Sequence, residues 1–108
     1  MQKKGQNSES GDITESAKEF VLRLFITGAT PNSSRAVTNI KQICETHLKN
    51  RYSLEIIDVY QQQDIAEREQ LIALPLLIKK SPFPERRLIG DLSNTEKVLK
   101  GLGLRING

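Results

Sequence analysis

The sequence predicts a single α/β domain with the element order β-α-β-α-β-β-α. Three observations indicate this class. The first is an apolar run without the alternation expected of a strand that has one solvent-exposed face, and the second is an apolar stripe at helical spacing soon after it. The third is a pair of short apolar runs separated by a proline-rich turn. The chain has 108 residues, of which 37% are hydrophobic and 27% charged, and these values are ordinary for one globular domain.

Composition argues against several functions. The net charge of +3, from 16 basic and 13 acidic residues, is mild and lacks the dense basic stripe of a dedicated nucleic-acid binder. No apolar run approaches the ~20 residues that span a bilayer, and the first residues lack the apolar core of a secretory signal. We therefore expect a cytoplasmic protein that binds neither nucleic acid nor membrane. A single cysteine excludes an internal disulfide and a cysteine-based metal cluster, and we expect no metal and no cofactor.

The amino-terminal part predicts a polar tail followed by a buried strand. Residues 1–18 offer almost nothing to bury, so we expect a disordered extension before a domain over 19–108. The first strand, Phe20–Ile26, is apolar at every position but Arg23, as in a central strand that is covered on both faces.

A Gly/Pro turn ends this strand, and a helix and a second strand follow. Asn32 or Ser33 is the predicted N-cap. Over Ser34–Leu48, six apolar side chains share one helical stripe: Ala36, Val37, Ile40, Ile43, Cys44 and Leu48. Leu54–Val59 is the second strand, so these elements form a βαβ unit.

Two capping-box spacings, Asp64–Glu67 and Ser93–Glu96, predict two further short helices. The first should run through about Leu71. The second buries three apolar side chains, Val98, Leu99 and Leu102. Gly101 and Gly103 interrupt it within two turns, so we expect this helix to be weakly held.

A hairpin is predicted between these two helices. Ala73–Ile78 is an apolar run, and Pro75 near its start suits strand entry and permits a cis bond. Lys79–Pro84 is the predicted turn, and Arg86–Gly90 is the returning arm. A βαβ half joined to a hairpin and a helix is the arrangement of the thioredoxin-like fold. In that fold, the loop at Gly28–Ser33 would lie beside Pro75.

A thioredoxin-type enzyme needs a low-pKa cysteine at the N-terminus of the first helix. Here that position carries Ala29-Thr-Pro-Asn-Ser33. The only cysteine, Cys44, lies about three turns further on, on the apolar face, and we predict a packing role for it. The sequence therefore excludes redox activity of the thioredoxin kind.

The other candidate groups for catalysis are isolated. His47, the only histidine, has no neighbours that would form a triad or a metal site, and we expect it at the surface or an interface. Asp64, Glu67 and Glu69 are interpreted as a solvated helix face rather than a catalytic pair. Asp58 ends a strand, where it would be a partner contact or a turn former.

Four basic residues flank the proline-rich turn: Lys79, Lys80, Arg86 and Arg87. If the turn closes a hairpin, the four charges meet at one end of the molecule. Two interpretations have equal weight. The cluster would bind an acidic partner surface or phosphate, or it is a solvated strand edge that charge protects against aggregation.

Several segments together resemble a known family. They are Gly28-x-Thr-Pro-Asn-Ser33, Ile57-Asp-Val59, Ala73-x-Pro75, Arg86-Arg-x-Ile-Gly-Asp-Leu-Ser-Asn94, Glu96-Lys-Val-Leu99 and Gly101-Leu102. They closely resemble KaiB, a family of small clock proteins that work with the ATPase KaiC in cyanobacteria. The likeness covers about Phe20–Leu104.

The resemblance implies a regulator that is not an enzyme and that exists in two folds. A ground state assembles as dimers or tetramers, and a rarer thioredoxin-like state binds the KaiC ring. The strand–helix–strand half is common to both, whereas the half after about Asp58 refolds. The fold is therefore either the thioredoxin-like βαβαββα sandwich or the ground-state α/β variant. The implied partners are a KaiC-like ATPase and other copies of this chain.

The candidate functional residues fall into two sets. The partner-binding candidates are Arg35, Asp58, Gln61, Gln70, Lys79, Arg86 and Arg87. The candidates for structural or switch roles are Pro31, Pro75, Gly90, Asp91, Gly101 and Gly103.

The chain also departs from the family pattern. Tyr60-Gln-Gln-Gln63 replaces a lysine and an Asn-Pro pair, and Gln70 and Glu55 stand where the family carries lysine. Since the strand with Glu55 is the edge implicated in holding KaiA, recruitment of KaiA is doubtful. Gly103 replaces an aspartate, which bears on the balance between folds. The alternative function is a thioredoxin-like interaction module in stress signalling, without a KaiA/KaiC clock.

Overall fold

The predicted βαβαββα order is confirmed by a computed structural model, which describes residues 19–69 and 73–104. The elements are β1 (Phe20–Ile26), α1 (Pro31–His47), β2 (Tyr52–Asp58), α2 (Gln63–Arg68), β3 (Leu76–Ser81), β4 (Arg86–Ile89) and α3 (Thr95–Gly101). The predicted tail over 1–18 and the candidate Gln70 lie outside the described residues. No helix of the described residues is both long and apolar enough to cross a membrane.

The four strands form one mixed sheet in the order β2-β1-β3-β4. β1 is parallel to β2 and antiparallel to β3, and β4 returns antiparallel to β3. β4 therefore runs in the same direction as β1. The prediction of a central first strand is confirmed, because Leu22, Leu24 and Phe25 are fully buried between the two layers.

Two apolar clusters cover the two faces of the sheet. One joins α1 and α3 to β1, β3 and neighbouring residues, and Cys44, Ile40 and Leu99 are among its members. The other lies on the α2 face, where Phe25, Ile57 and Ile78 are packed with Ile65 of α2. The molecule is thus a three-layer sandwich in which the α2 layer is the thinner one, since α2 has only six residues.

Helix α1 begins earlier than predicted, because Thr30 rather than Asn32 or Ser33 is its N-cap. The Thr30 hydroxyl accepts a hydrogen bond from the Ser33 amide at 3.3 Å. Pro31 follows at the first helical position, where its ring fits and its missing N–H costs nothing. Ser33 is fully buried, and its hydroxyl accepts a bond from the Thr27 amide at 3.1 Å. This side chain ties the loop to the helix.

The two predicted capping boxes are not the caps that form. At α2 the N-cap is Gln62, which makes no side-chain bond, and Asp64 lies inside the first turn, paired with Arg68 at 3.2 Å. At α3 the cap shifts by one residue: the Asn94 side chain accepts from the Lys97 amide at 3.1 Å. Asparagine caps as well as serine does, so spacing alone does not choose between neighbours.

Gly101 and Gly103 end α3 rather than interrupting it. The Gly103 amide donates to the Lys100 carbonyl at 3.0 Å, and the Leu104 amide donates to the Leu99 carbonyl at 2.9 Å. Gly103 has φ +80°, the left-handed conformation that this Schellman cap requires. At Gly101 a Cβ atom would collide with the side chain of Leu88, so glycine permits the close approach of α3 to β4.

The turn of the hairpin is shorter than predicted, because β3 covers Leu76–Ser81 rather than Ala73–Ile78. β3 runs to Ser81, so Lys79 and Lys80 belong to a strand and not to the turn. The possible cis bond before Pro75 is confirmed, and two further X-Pro bonds, at Pro82 and Pro84, are also cis. The Pro75 carbonyl accepts from the Gly90 amide at 3.0 Å, which closes the far end of the hairpin.

Candidate partner-binding surface

One predicted partner-binding residue, Arg35, contacts one predicted switch residue, Asp91. The Nε atom of Arg35 lies 3.2 Å from Oδ2 of Asp91, and Asn39 donates to the Asp91 carbonyl at 2.9 Å. Arg35 also donates to the Asn32 side chain. These bonds join α1 to the loop between β4 and α3, and so they join the two halves of the chain.

The surroundings of Asp91 stabilise its charged form. Hydrogen bonds from the side chain and the backbone amide of Ser93, followed by the bond from Arg35, hold the pKa of the Asp91 carboxyl below its usual range, against a smaller opposing effect of burial. The Ser93 amide lies 3.0 Å from Oδ1. Asp91 is therefore ionised in the folded chain at neutral pH, and its negative charge is directed at Arg35.

Asp58 connects the ends of the two parallel strands. Its Oδ1 atom accepts from the Gly28 amide at 3.1 Å and from the Tyr60 amide at 2.9 Å. Gly28 has φ +58°, and a Cβ atom there would lie 3.3 Å from the Tyr60 ring. Asp58 thus forms a turn and fixes the loop before α1, while Gln61 is exposed just beyond it.

A set of charged side chains lies on the α2 face of the sheet, and we call it the Glu69 cluster. Its members are Arg23, Glu55, Glu69, Lys80, Glu85 and Arg87. Glu69, just after α2, lies 3.1 Å from Lys80 and 3.7 Å from Arg23, and its carbonyl accepts from Arg87 at 2.9 Å. Three strands therefore hold the end of α2.

The sequence interpretation of Glu69 as part of a solvated helix face missed this role. A signal was present. Arg23 is the one charged residue in the apolar strand β1, and the parallel register places it opposite Glu55. A charged side chain in a central strand requires partners from the neighbouring strand or from the layer that covers it, and α2 lies in that layer.

Lys79 is the predicted surface cation that the structure buries. It is 4% exposed, and its Nζ atom lies 3.5 Å from the Leu102 carbonyl at the end of α3. Burial, followed by the nearby charge of Arg86, lowers the pKa of Lys79. The expected cluster of four basic residues is therefore reduced at the surface to Lys80, Arg86 and Arg87.

The candidates lie at two ends of the sheet. β1 and β4 run in the same direction and terminate at the same end of the sheet. This end carries Asp58, Pro75 and the Arg35–Asp91 pair. Lys79 and Arg86 lie opposite each other on the paired strands β3 and β4, near the other end of the sheet. The structure does bring the basic hairpin and the segment after Asp58 together, through the Glu69 cluster.

Cys44 is fully buried. Burial, with a smaller effect of the Glu45 charge, raises the pKa of its thiol to about 12. A thiol in this environment stays protonated and cannot reach a substrate. The predicted packing role of Cys44 agrees with its place in the core cluster.

A βαβ unit, a hairpin entered through a proline and a closing helix define the class: the chain has a thioredoxin-like fold whose first helix begins without a cysteine. The KaiB domain matches residues 23–104, and the chain belongs to the KaiB family. It is 48% identical over 87 residues to the circadian clock oscillator protein KaiB of Prochlorococcus marinus, a match that covers 81% of each chain. To the circadian clock protein KaiB3 of Synechocystis it is 51% identical over 85 residues, or 79% of this chain and 83% of the relative.

Solved structures show the same fold. The N-terminal domain of SasA from Synechococcus elongatus is similar with a TM-score of 0.65 and 26% identity, over 85% of this chain and 90% of that domain. Chloroplastic thioredoxin z has a TM-score of 0.65 with 17% identity, over 84% of each chain. The second likeness concerns the fold alone.

Proposed function

We propose that this chain is a non-enzymatic clock regulator that acts in the cytoplasm by binding a KaiC-type ATPase. Its membership in a family whose curated relatives are circadian clock proteins supports this proposal. The single structural observation that carries it is the Glu69 cluster. This cluster joins the basic hairpin to the segment after Asp58, so the two regions expected to contact the ATPase form one continuous surface.

The proposed mechanism is a shift of population. The ATPase captures the thioredoxin-like monomer and so withdraws it from a resting dimer or tetramer. Moving such an equilibrium from about 1:99 to about 99:1 requires a differential affinity of about 5.5 kcal/mol. The contact between the ATPase and the thioredoxin-like state must supply this free energy, and no covalent step is required.

The second half of the chain has the features of a segment that rearranges. Helices α2 and α3 have six and seven residues, well below the roughly 12–15 residues that an isolated helix needs in water. Both depend on tertiary contacts such as the Glu69 cluster and the packing of Gly101 on Leu88. A partner that replaces those contacts changes the stability of these helices most.

A pull-down with the KaiC-type ATPase of the same organism, with and without ATP, tests this function. We expect a complex in at least one of the two conditions, and weaker binding by about tenfold after Arg86→Ala combined with Arg87→Ala. Lys41→Ala, at an exposed position of α1, is the matched control. A folded chain that binds the ATPase in neither condition would overturn the proposal and favour an interaction module for stress signalling.

KaiA is not among the proposed partners. Glu55 places a negative charge on the edge strand β2, where it lies 3.5 Å from Arg23. This pair gives the edge a different charge pattern from the one that the family resemblance leads us to expect. A KaiA-binding assay that compares Glu55→Lys with the unchanged chain tests whether the negative charge of Glu55 prevents KaiA from binding to β2.

A further inference from the structure

The outer edge of β4 is an open hydrogen-bonding edge. No strand among residues 19–69 and 73–104 pairs with it, because β4 is the last strand in the sheet order. The Gly90 amide donates to Pro75 across the hairpin. The backbone N–H and C=O groups of successive residues in an antiparallel strand point in opposite directions. Like those of Gly90, the backbone groups of Leu88 therefore point to β3, while the amide and carbonyl of Ile89 point away from the sheet.

A groove of about 430 Å³ runs beside this edge. It lies between β4 and the start of α3, and its lining includes Ile89, Ser93, Asn94, Lys97 and Val98. Ile89 is 62% exposed, which is unusual for an isoleucine within a strand. The groove therefore runs beside the open backbone groups of β4, and the exposed Ile89 side chain lies at the same edge on the α2 face.

The charges beside the groove favour an acidic ligand. Lys97 lines the groove, Arg86 begins β4, and neither makes an ion pair within the part of the chain that the structure describes. The carboxylate that lines the groove, Asp91, is already held by Arg35 and Ser93. Arg86 also lies directly opposite Lys79, and like charges in that position destabilise a strand pair.

We propose that the edge of β4 and this groove bind an extended segment of a partner protein in which acidic and apolar side chains alternate. The segment adds a fifth strand to the sheet through the outward backbone groups of Ile89. Its acidic side chains lie on the face of Arg86 and Lys97. Its apolar side chains lie on the other face and cover Ile89. The groove lining includes Arg87, which also belongs to the Glu69 cluster, so the two surfaces adjoin. The site requires the thioredoxin-like arrangement of the second half, and a bound segment selects that arrangement without the KaiC-type ATPase.

The test uses a fluorescein-labelled peptide of about ten residues in which Glu and Val alternate, a common length for a strand. A peptide of alternating Lys and Val is the control. We expect fluorescence anisotropy to show saturable binding of the acidic peptide and none of the basic one. Hydrogen exchange measured by NMR should show that the Ile89 amide gains protection on binding, because it donates to the added strand.

Two pairs of variants locate the site. Ile89→Pro removes the outward N–H from an edge strand, which tolerates proline there, and it should abolish binding. Ile89→Thr keeps the N–H and the branched side chain, and it should retain most of the binding even if the proline variant fails to fold. Lys97→Gln should weaken binding by about tenfold, whereas Lys100→Gln, on the same helix but outside the groove lining, should not.

The results of these experiments either support or overturn the proposed site at β4. Lost binding in Ile89→Pro with protection of the Ile89 amide supports the proposal. Protection that appears instead at β2, binding unaffected by Ile89→Pro and Lys97→Gln, or no binding of the acidic peptide overturns it. Sedimentation that shows dimers lost in Ile89→Pro without any peptide would also overturn it, since the occupant of the edge would then be a second copy. The same variants should bind the KaiC-type ATPase as well as the unchanged chain does. This comparison distinguishes loss of peptide binding at β4 from a failure of the proposed function.

Discussion

The strand–helix–strand half over 20–58 and the half over 63–101 are stabilised in different ways. The first half holds a helix of 17 residues with a side-chain N-cap and five buried positions, packed on a strand that lies between two others. The second half holds helices of six and seven residues and the edge strand β4. The first half is determined largely by local sequence, whereas the second half depends on contacts with the first.

Besides the β1–β3 pairing and the two apolar clusters, two sets of polar contacts attach the second half to the first. One is the Arg35–Asp91 pair, which spans 56 residues of sequence. The other is the Glu69 cluster, where Glu69 contacts a basic residue of β1 and another of β3. Each is a polar contact at a partly exposed position, and such contacts are weaker than buried apolar packing. These polar contacts are therefore the part of the attachment that a partner replaces at the lowest cost in free energy, which agrees with the proposal that a partner selects among states of this half.

The largest expected effect compares core truncations in the two halves. Leu24→Ala in β1 and Leu99→Ala in α3 each remove a buried side chain, and each should cost about 2–5 kcal/mol of unfolding free energy. Native-state hydrogen exchange should distinguish them. Leu24→Ala should lower protection throughout the sheet, while Leu99→Ala should lower it mainly in β4 and α3. Equal loss across both halves in both variants would contradict the comparison.

A smaller effect is expected at the start of α1. Ser33→Ala removes the buried hydroxyl that accepts from the Thr27 amide, so it leaves a donor unsatisfied and should cost about 1–3 kcal/mol. Ser34→Ala, one residue on and exposed, should change stability by less than about 0.5 kcal/mol. Urea denaturation measures both. Equal effects of the two variants would mean that the hydroxyl of Ser33 does not hold the loop.

Glu69→Gln tests the attachment of α2. It removes the charge that Arg23 and Lys80 share, and should cost about 1 kcal/mol at low ionic strength. The cost should shrink in about 1 M salt, where charges are screened over about 3 Å. Glu67→Gln, on the exposed side of the same helix, is the control. A cost that is independent of salt would show that packing rather than charge holds α2.

The smallest effect concerns pH. Because the folded chain lowers the pKa of Asp91, the ionised carboxylate stabilises the fold above the unfolded-state value of about 3.9. This stabilisation is lost as the pH falls through the lower folded value. Asp91→Asn should therefore be less stable than the unchanged chain at neutral pH, and the difference should vanish in acid. A difference that persists below the folded-state pKa would contradict the assigned cause.

Sequence patterns predicted the element order: apolar runs and periodicity located the strands and α1, and polar capping patterns located α2 and α3. They failed where several neighbouring residues satisfy the same local rule: the caps moved to Thr30 and Asn94 although Ser33 and Ser93 cap equally well. They also failed at long range. Burial of Lys79 depends on how far β3 extends and on where α3 ends. The contacts of Glu69 depend on how α2 folds back over the sheet, and neither is encoded in local spacing.

The most direct measurement of the central claim is the backbone chemical shifts of the isotope-labelled chain, free and bound to the KaiC-type ATPase. Residues 20–58 should keep the same strand–helix–strand shifts in both states. In the free chain, residues 63–101 should give a second set of shifts beside the α2, β3, β4 and α3 set, and only the latter set should remain in the complex. Identical shifts over 63–101 in the free and bound chain would contradict the proposed rearrangement. Shifts over 20–58 that change on binding would contradict the constancy of the first half.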